Sequence, residues 1–100
     1  MKVLIIGGYG TFGYRIAETL RDEAGLEFIL SGRNLEKAEV ACAQLSVGAN
    51  ATYRPLQLDR NLDLSTQIST PPDLIIDASG PFQAYTTQPV IDYALAVGCH

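Results

Sequence analysis

Apolar positions along this chain follow two rhythms, one of strands and one of helices. Val3 to Ile6 is an unbroken aliphatic run bounded by glycines, as a strand buried on both faces of a parallel sheet reads. Gly7-Gly8-Tyr9-Gly10 breaks the run. From Thr11 the spacing turns helical, with Gly13, Ile16, Ala17, Leu20 and Ala24 on one face. Gly25 stands where a helix end favours glycine, and a second strand is expected over Glu27 to Ser31. Asn34 is a good N-cap for the next helix, with Glu36 well placed against its dipole. Ala38, Ala41, Cys42 and Leu45 make that helix's apolar face.

Gly48 to Ala51 turns the chain into a weaker third strand, around Thr52 to Leu58. Pro55 interrupts that strand or pushes it toward a sheet edge. Asn61 to Thr70 is polar and ambiguous, with a short helix as the expectation. Pro71-Pro72 ends it, and Asp73 to Ser79 reads as a strong fourth strand. Gly80-Pro81 makes a turn, and Thr87 to Val97 is a final helix stopped by Gly98. The order β-α-β-α-β-(α)-β-α implies parallel strands, right-handed crossovers and helices on both sheet faces. The fold class is therefore α/β, a three-layer α/β/α Rossmann-type sheet that binds ligands at the carboxyl ends of its strands. The order stops at Cys99-His100 where another strand is expected. Later strands are accordingly expected outside this stretch.

Gly8-Tyr9-Gly10-Thr11-Phe12-Gly13 is G-x-G-x-x-G. The string is common by itself, but here it follows a strand and opens a helix, the context in which it has a mechanism. Gly8 would permit the tight turn, Gly10 would let backbone approach a pyrophosphate, and Gly13 would let the helix pack closely. The free N–H groups of Thr11 to Gly13 would face the phosphates with the positive end of the helix dipole behind them. No Gly-Lys-Ser/Thr follows, which excludes a Walker A loop.

The end of the second strand selects the cofactor. NAD sites usually place an acid there for the ribose hydroxyls, but Phe28 to Asn34 contains none, and Glu27 sits at the wrong end of the strand. Ser31, Arg33 and Asn34 could all donate to a 2′-phosphate, and Arg33 would also attract it. NADP is favoured over NAD, with NAD the alternative, and the missing acid also counts against FAD and S-adenosylmethionine. Asp59, after the third strand, could meet the adenine amino group or serve turn chemistry. Ser79, Gly80, Pro81 and Phe82 follow the fourth strand, beside the expected pyrophosphate and nicotinamide ribose. Asp77 needs a partner where it is buried, either a loop N–H or the cofactor.

Composition narrows the classes. The 100 residues are 47% hydrophobic and 18% charged, those of one ordinary globular domain. A net charge of −4 with scattered basic residues argues against nucleic-acid binding. No apolar run approaches the ~20 residues of a membrane span, and the N-terminus does not read as a signal peptide, so a cytoplasmic location is expected. Cys42 and Cys99 have neither metal nor CxxC spacing, and Cys42 reads as a small buried hydrophobe. No metal site is expected.

Lys2 to Gly13 (KVLIIGGYGTFG), the Ser-Gly-Arg-Asn turn and Asp73 to His100 (DLIIDASGPFQAYTTQPVIDYALAVGCH) resemble the saccharopine dehydrogenase family. The likeness covers nearly the whole chain as that family's N-terminal cofactor domain. Its most specific piece is Ala78-Ser79-Gly80-Pro81-Phe82 with the helix ending Ala-Val-Gly-Cys-His. The resemblance implies an NAD(P)-binding domain over residues 1–100, followed in the full-length protein by a substrate domain. By position it places Gly8, Gly10, Thr11, Phe12 and Gly13 on the pyrophosphate, Arg33 on the 2′-phosphate, and Ser79 to Phe82 beside the nicotinamide.

Hydride transfer usually needs a general acid/base near the nicotinamide. The chain has no Tyr-x-x-x-Lys dyad, and its lone histidine, His100, has no partner that would make a site. Tyr85 or Gln83 could line the nicotinamide pocket. The expectation is an oxidoreductase cofactor domain whose small-molecule substrate binds elsewhere in the full-length protein, with no activity in this stretch alone. The alternatives are a non-catalytic NADP-sensing regulator and, less well supported, a nucleotide-sugar epimerase. A homodimer is a further possibility, but a dimer made by pairing of the unpaired sheet edge would be an artefact of the missing next strand.

Overall fold

The computed structural model describes residues 1–59, 61–78 and 88–98. Four parallel strands, β1 (Lys2–Ile6), β2 (Glu27–Gly32), β3 (Thr52–Gln57) and β4 (Leu74–Asp77), lie in the order β3-β2-β1-β4. Successive residues of β1 point to opposite faces, as the period of a strand requires. Val3 and Ile5 pack under α1 (Thr11–Thr19) and α2 (Leu35–Ser46), meeting Ala17, Ala41, Cys42 and Leu45. Leu4 and Ile6 face the other way, toward Leu64 and Ile68 and toward Val90 and Tyr93 of α3 (Gln88–Val97). Helices on both faces explain why β1 is apolar throughout instead of alternating. This is the three-layer α/β/α arrangement.

Cross-strand neighbours Phe28 and Tyr53 stack with centroids 5.4 Å apart and rings 15° from parallel. The buried Tyr53 hydroxyl donates to the Ala17 carbonyl at 2.7 Å, joining β3 to α1. Pro55 stands opposite Leu30 on β3, the outermost strand on that side of the described sheet, where a residue without an N–H does least harm. Asn34 caps α2, its side-chain oxygen accepting the Lys37 N–H at 3.1 Å. Cys42 is buried among apolar side chains; burial, helped by the Glu39 carboxylate, pushes its thiol up to about 11. A thiol so hard to ionise is packing, not a nucleophile.

Two elements differ from expectation. The first helix stops at Thr19, not near Gly25. The Arg21 carbonyl, which a longer helix would use internally, instead accepts the N–H groups of Asn50 and Ala51 at 2.9 and 3.0 Å. The Arg21 guanidinium also donates to the Val47 carbonyl. The chain after Thr19 thus forms turns that anchor the entrance to β3, and Gly25 ends them at φ 92°. Between Asn61 and Thr70 only one 3-10 turn forms, Leu64–Thr66. Asp63 starts it by accepting from Ser65 N–H and Oγ at 3.0 and 2.8 Å, bonds that hold its carboxyl below the usual range. Pro71-Pro72 leaves no room for a longer helix before β4.

Candidate cofactor site

Strand register brings the relevant loops together. Ile6 pairs with Ser31 on one side and Asp77 on the other, and Gly32 pairs with Gln57. The loop after β1, the turn after β2 and Asp59 after β3 therefore emerge along one edge, the carboxyl edge where such sheets take ligands.

The loop after β1 is held by backbone. Gly7 and Gly8 donate their N–H groups to the Ser31 carbonyl at 2.8 and 3.1 Å, and Gly10 donates to the Gly7 carbonyl at 3.0 Å. Sequence spacing assigned the tight turn to Gly8, but the positive φ, 80°, falls on Gly7. Gly8 is required by close approach instead, since a Cβ there would stand 2.9 Å from Leu30 Cα. A Cβ on Gly13 would stand 2.4 Å from the Gly7 carbonyl oxygen, so any larger residue would lift α1 off the loop. At Gly10 the nearest obstacle is that same oxygen at 3.3 Å. Its outer side is open.

The starts of α1 and α2 differ in kind. α2 begins with the Asn34 cap and carries Glu36 in its first turn. α1 begins at Gly10 with no side-chain cap and no acidic residue in its first turn. Its leading amides, on Thr11, Phe12 and Gly13, have no acceptor within the helix, and Thr11 and Phe12 are exposed. Such an end favours an anion.

The turn after β2 bears one expected donor outward and turns one inward. Arg33 is exposed, with 63% of its side chain accessible. Its Nε lies 3.9 Å from the Asp59 carboxylate, too far for a hydrogen bond, so its donors are uncommitted to Asp59. Ser31 does not serve a phosphate. It is 0% exposed, and its hydroxyl donates to the Ile5 carbonyl at 2.9 Å, so a ligand outside the sheet cannot reach it. Its part is to bind β2 to β1 while its own carbonyl holds the glycine loop. Asn34 commits its side-chain oxygen to the cap. Asp59 engages in turn chemistry, accepting the Asn61 N–H at 2.9 Å. Ser79, Gly80, Pro81 and Phe82, with Gln83, Tyr85, Cys99 and His100, lie outside the described residues.

Four residues at or beside the site carry no site role in the sequence pattern: Gln67, Gln57, Tyr9 and Lys37. Gln67 acts as a clamp, its Oε1 accepting the Asp59 N–H at 2.7 Å and its Nε2 donating to the Asp59 carbonyl at 3.0 Å. Arg33, Gln57, Leu58, Asp59 and Gln67 line a hollow of about 380 Å³. Tyr9 bonds the Asn34 N–H through its hydroxyl oxygen at 3.1 Å. Lys37, in the first turn of α2, borders a second hollow of about 430 Å³ between α1 and α2 together with Tyr9, Tyr14 and Gln44. Only Lys37 carried a readable signal, being a lysine three residues past an N-cap.

A cradle of closely packed glycines, an uncapped helix start and an acid-free β2 end fit a dinucleotide with an extra phosphate. The sequence profile of the saccharopine dehydrogenase NADP binding domain matches residues 3–100. The chain belongs to that family. It is an NADP-binding domain of the saccharopine dehydrogenase kind. Among solved structures it is similar to apo saccharopine dehydrogenase (L-Glu forming) from Saccharomyces cerevisiae. That likeness has a TM-score of 0.75 and 18% identity, over 98% of this chain and 20% of that one. The ligand-free 5-ketofructose reductase of Gluconobacter sp. strain CHM43 matches with a TM-score of 0.58 and 25% identity, over 77% of this chain and 26% of that one. An actinorhodin polyketide ketoreductase solved with NADPH matches with a TM-score of 0.58 and 19% identity, over 93% of this chain and 40% of that one. The NADP-binding domain thus spans well under half of each. No curated protein sequence matches it. Among its described residues no helix is long and apolar enough to cross a membrane, and no group of His, Cys, Asp and Glu could hold a metal ion.

Proposed function

We propose that this domain holds NADP for a hydride transfer completed by residues outside it, in an NADP-dependent oxidoreductase acting on a small molecule. The observation that carries the reading is the pairing of an uncapped α1 start with an exposed Arg33 at an acid-free β2 end. In this reading the amides of Thr11, Phe12 and Gly13 bind the pyrophosphate. Arg33, with the Asn34 side-chain amide beside it, binds the 2′-phosphate. Asp59, positioned by Gln67, borders the adenine side of the edge. Ser79 to Phe82 are assigned to the nicotinamide by the family resemblance alone. The bound dinucleotide supplies the hydride or accepts it. The domain's own task is binding and orientation, so by itself it binds cofactor and turns nothing over.

Calorimetric titration with NADPH and NADH, on the parent protein and on Arg33→Ala, tests this. The parent is expected to bind NADPH more tightly. Arg33→Ala should weaken NADPH roughly ten- to a hundredfold, the worth of ~1.5–3 kcal/mol for hydrogen bonds to a charged group, and leave NADH nearly unchanged. Equal affinities for the two cofactors, unmoved by the substitution, would contradict the assignment of Arg33.

A further inference from the structure

The peptide unit that follows Arg33 is held at both ends. Its N–H, on Asn34, donates to the Tyr9 hydroxyl oxygen at 3.1 Å. Its carbonyl, on Arg33, accepts from Gln57 Nε2 at 3.2 Å. Both partners are side chains brought in from other parts of the sheet edge, Gln57 from the end of β3 and Tyr9 from the glycine loop after β1. The backbone on the other side of Arg33 is gripped as well. The Tyr9 ring lies so close over Gly32 that a Cβ there would stand 2.3 Å from Tyr9 Cε1 and 2.4 Å from its hydroxyl oxygen. Tyr9 therefore touches the residue before Arg33 with its ring and the residue after it with its hydroxyl.

Packing accounts for the ring, which lies against the core beneath α1 and α2, but not for the hydroxyl. An exposed N–H at a helix cap can be satisfied by water. A side-chain acceptor adds direction, fixing the plane of the peptide and with it the bearing of the Arg33 side chain. G-x-G-x-x-G leaves the residue between its first two glycines free, and a phosphate loop needs no tyrosine there.

We infer that Tyr9 is a positioning residue for cofactor selection: it couples the pyrophosphate loop to the turn that carries Arg33, and so sets the preference for the 2′-phosphate. Gln57 holds the same peptide from the opposite side. The inference rests on the NADP reading of Arg33. It predicts an effect on discrimination between cofactors, not on dinucleotide binding in general. A loosened peptide lets Arg33 wander from the phosphate, while the amides of α1 stay where they were.

The test is titration of the full-length protein with NADPH and with NADH, comparing the parent with Tyr9→Phe and Gln57→Ala, each checked by thermal melting. Tyr9→Phe keeps the ring on Gly32 and deletes only the hydroxyl. The expected result is a fall in the NADPH-to-NADH affinity ratio of roughly five- to tenfold, the size of one hydrogen bond. NADH affinity should stay within about twofold, since that bond bears on the 2′-phosphate residue alone. Gln57→Ala should narrow the ratio in the same direction. An unchanged ratio in both variants, or a parallel loss of both cofactors, would overturn the role given to Tyr9 and leave the NADP reading intact. A parent protein with no preference for NADPH would overturn both.

Discussion

Gly13→Ala is expected to abolish cofactor binding and to destabilise the fold. The added methyl would stand 2.4 Å from the Gly7 carbonyl oxygen and 3.0 Å from Gly8 Cα, both backbone atoms. No flexible side chain is present to move aside. Relief requires α1 to lift away from the glycine loop, and the amides of Thr11, Phe12 and Gly13 travel with it. Overpacking of this kind costs about 1–3 kcal/mol of stability. Binding should suffer more than stability, because misplacing the phosphate donors affects NADPH and NADH alike. A drop in affinity of at least about a hundredfold for both cofactors, with unfolding at lower denaturant, is the expected outcome. The contrast is Gly25→Ala. There a methyl meets no atom within 4 Å, though φ is 92°, so about 1 kcal/mol of backbone strain is the whole effect. Binding by that variant should match the parent. A Gly13→Ala protein that binds NADPH normally would show that the loop and helix do not depend on this contact.

Phe28→Ala should be the most damaging substitution to the fold itself. Phe28 is 0% exposed and stacks on Tyr53 across the β2–β3 pair. Truncating it leaves a cavity and removes one face of support from a ring whose hydroxyl joins β3 to α1. Phe→Ala in a core costs about 3–5 kcal/mol, against the roughly 5–15 kcal/mol of net stability usual for a domain. Equilibrium denaturation should therefore find the variant near the edge of folding at room temperature. A loss below about 1 kcal/mol would mean that the core closes over the gap, at odds with how tightly these sheet layers pack.

Much of this fold is legible in the residue pattern because both sheet faces are covered. A strand such as Val3 to Ile6 is then apolar throughout, and the helices between strands must be amphipathic. The Asn34 cap was equally readable, since its chemistry is local. What the pattern could not show depends on distant partners. The helical spacing from Thr11 continues to Ala24, yet α1 stops at Thr19, because the Arg21 carbonyl is taken by Asn50 and Ala51, 29 and 30 residues further along the chain. Ser31 sits where a phosphate donor belongs, but its hydroxyl is turned inward to Ile5 by the β1–β2 register. Gly8 looked like the turn residue, whereas the left-handed conformation belongs to Gly7. Gln67 and Gln57 hold the site by amide bonds between segments far apart in sequence, and neither lies in a motif. In such a site the motif names the loop, and tertiary contacts decide which side chains face the ligand.

In the proposed complex the ligand lies across the carboxyl edge, with its phosphates on the start of α1 and its 2′-phosphate at Arg33. Backbone amide shifts in an NMR titration with NADPH test it most directly. The largest changes are predicted at Thr11, Phe12, Gly13 and Arg33, with smaller ones at Asp59; NADH should reproduce the first three and spare Arg33. Changes gathered instead at Tyr14, Val40 and Gln44, around the hollow between α1 and α2, would contradict it.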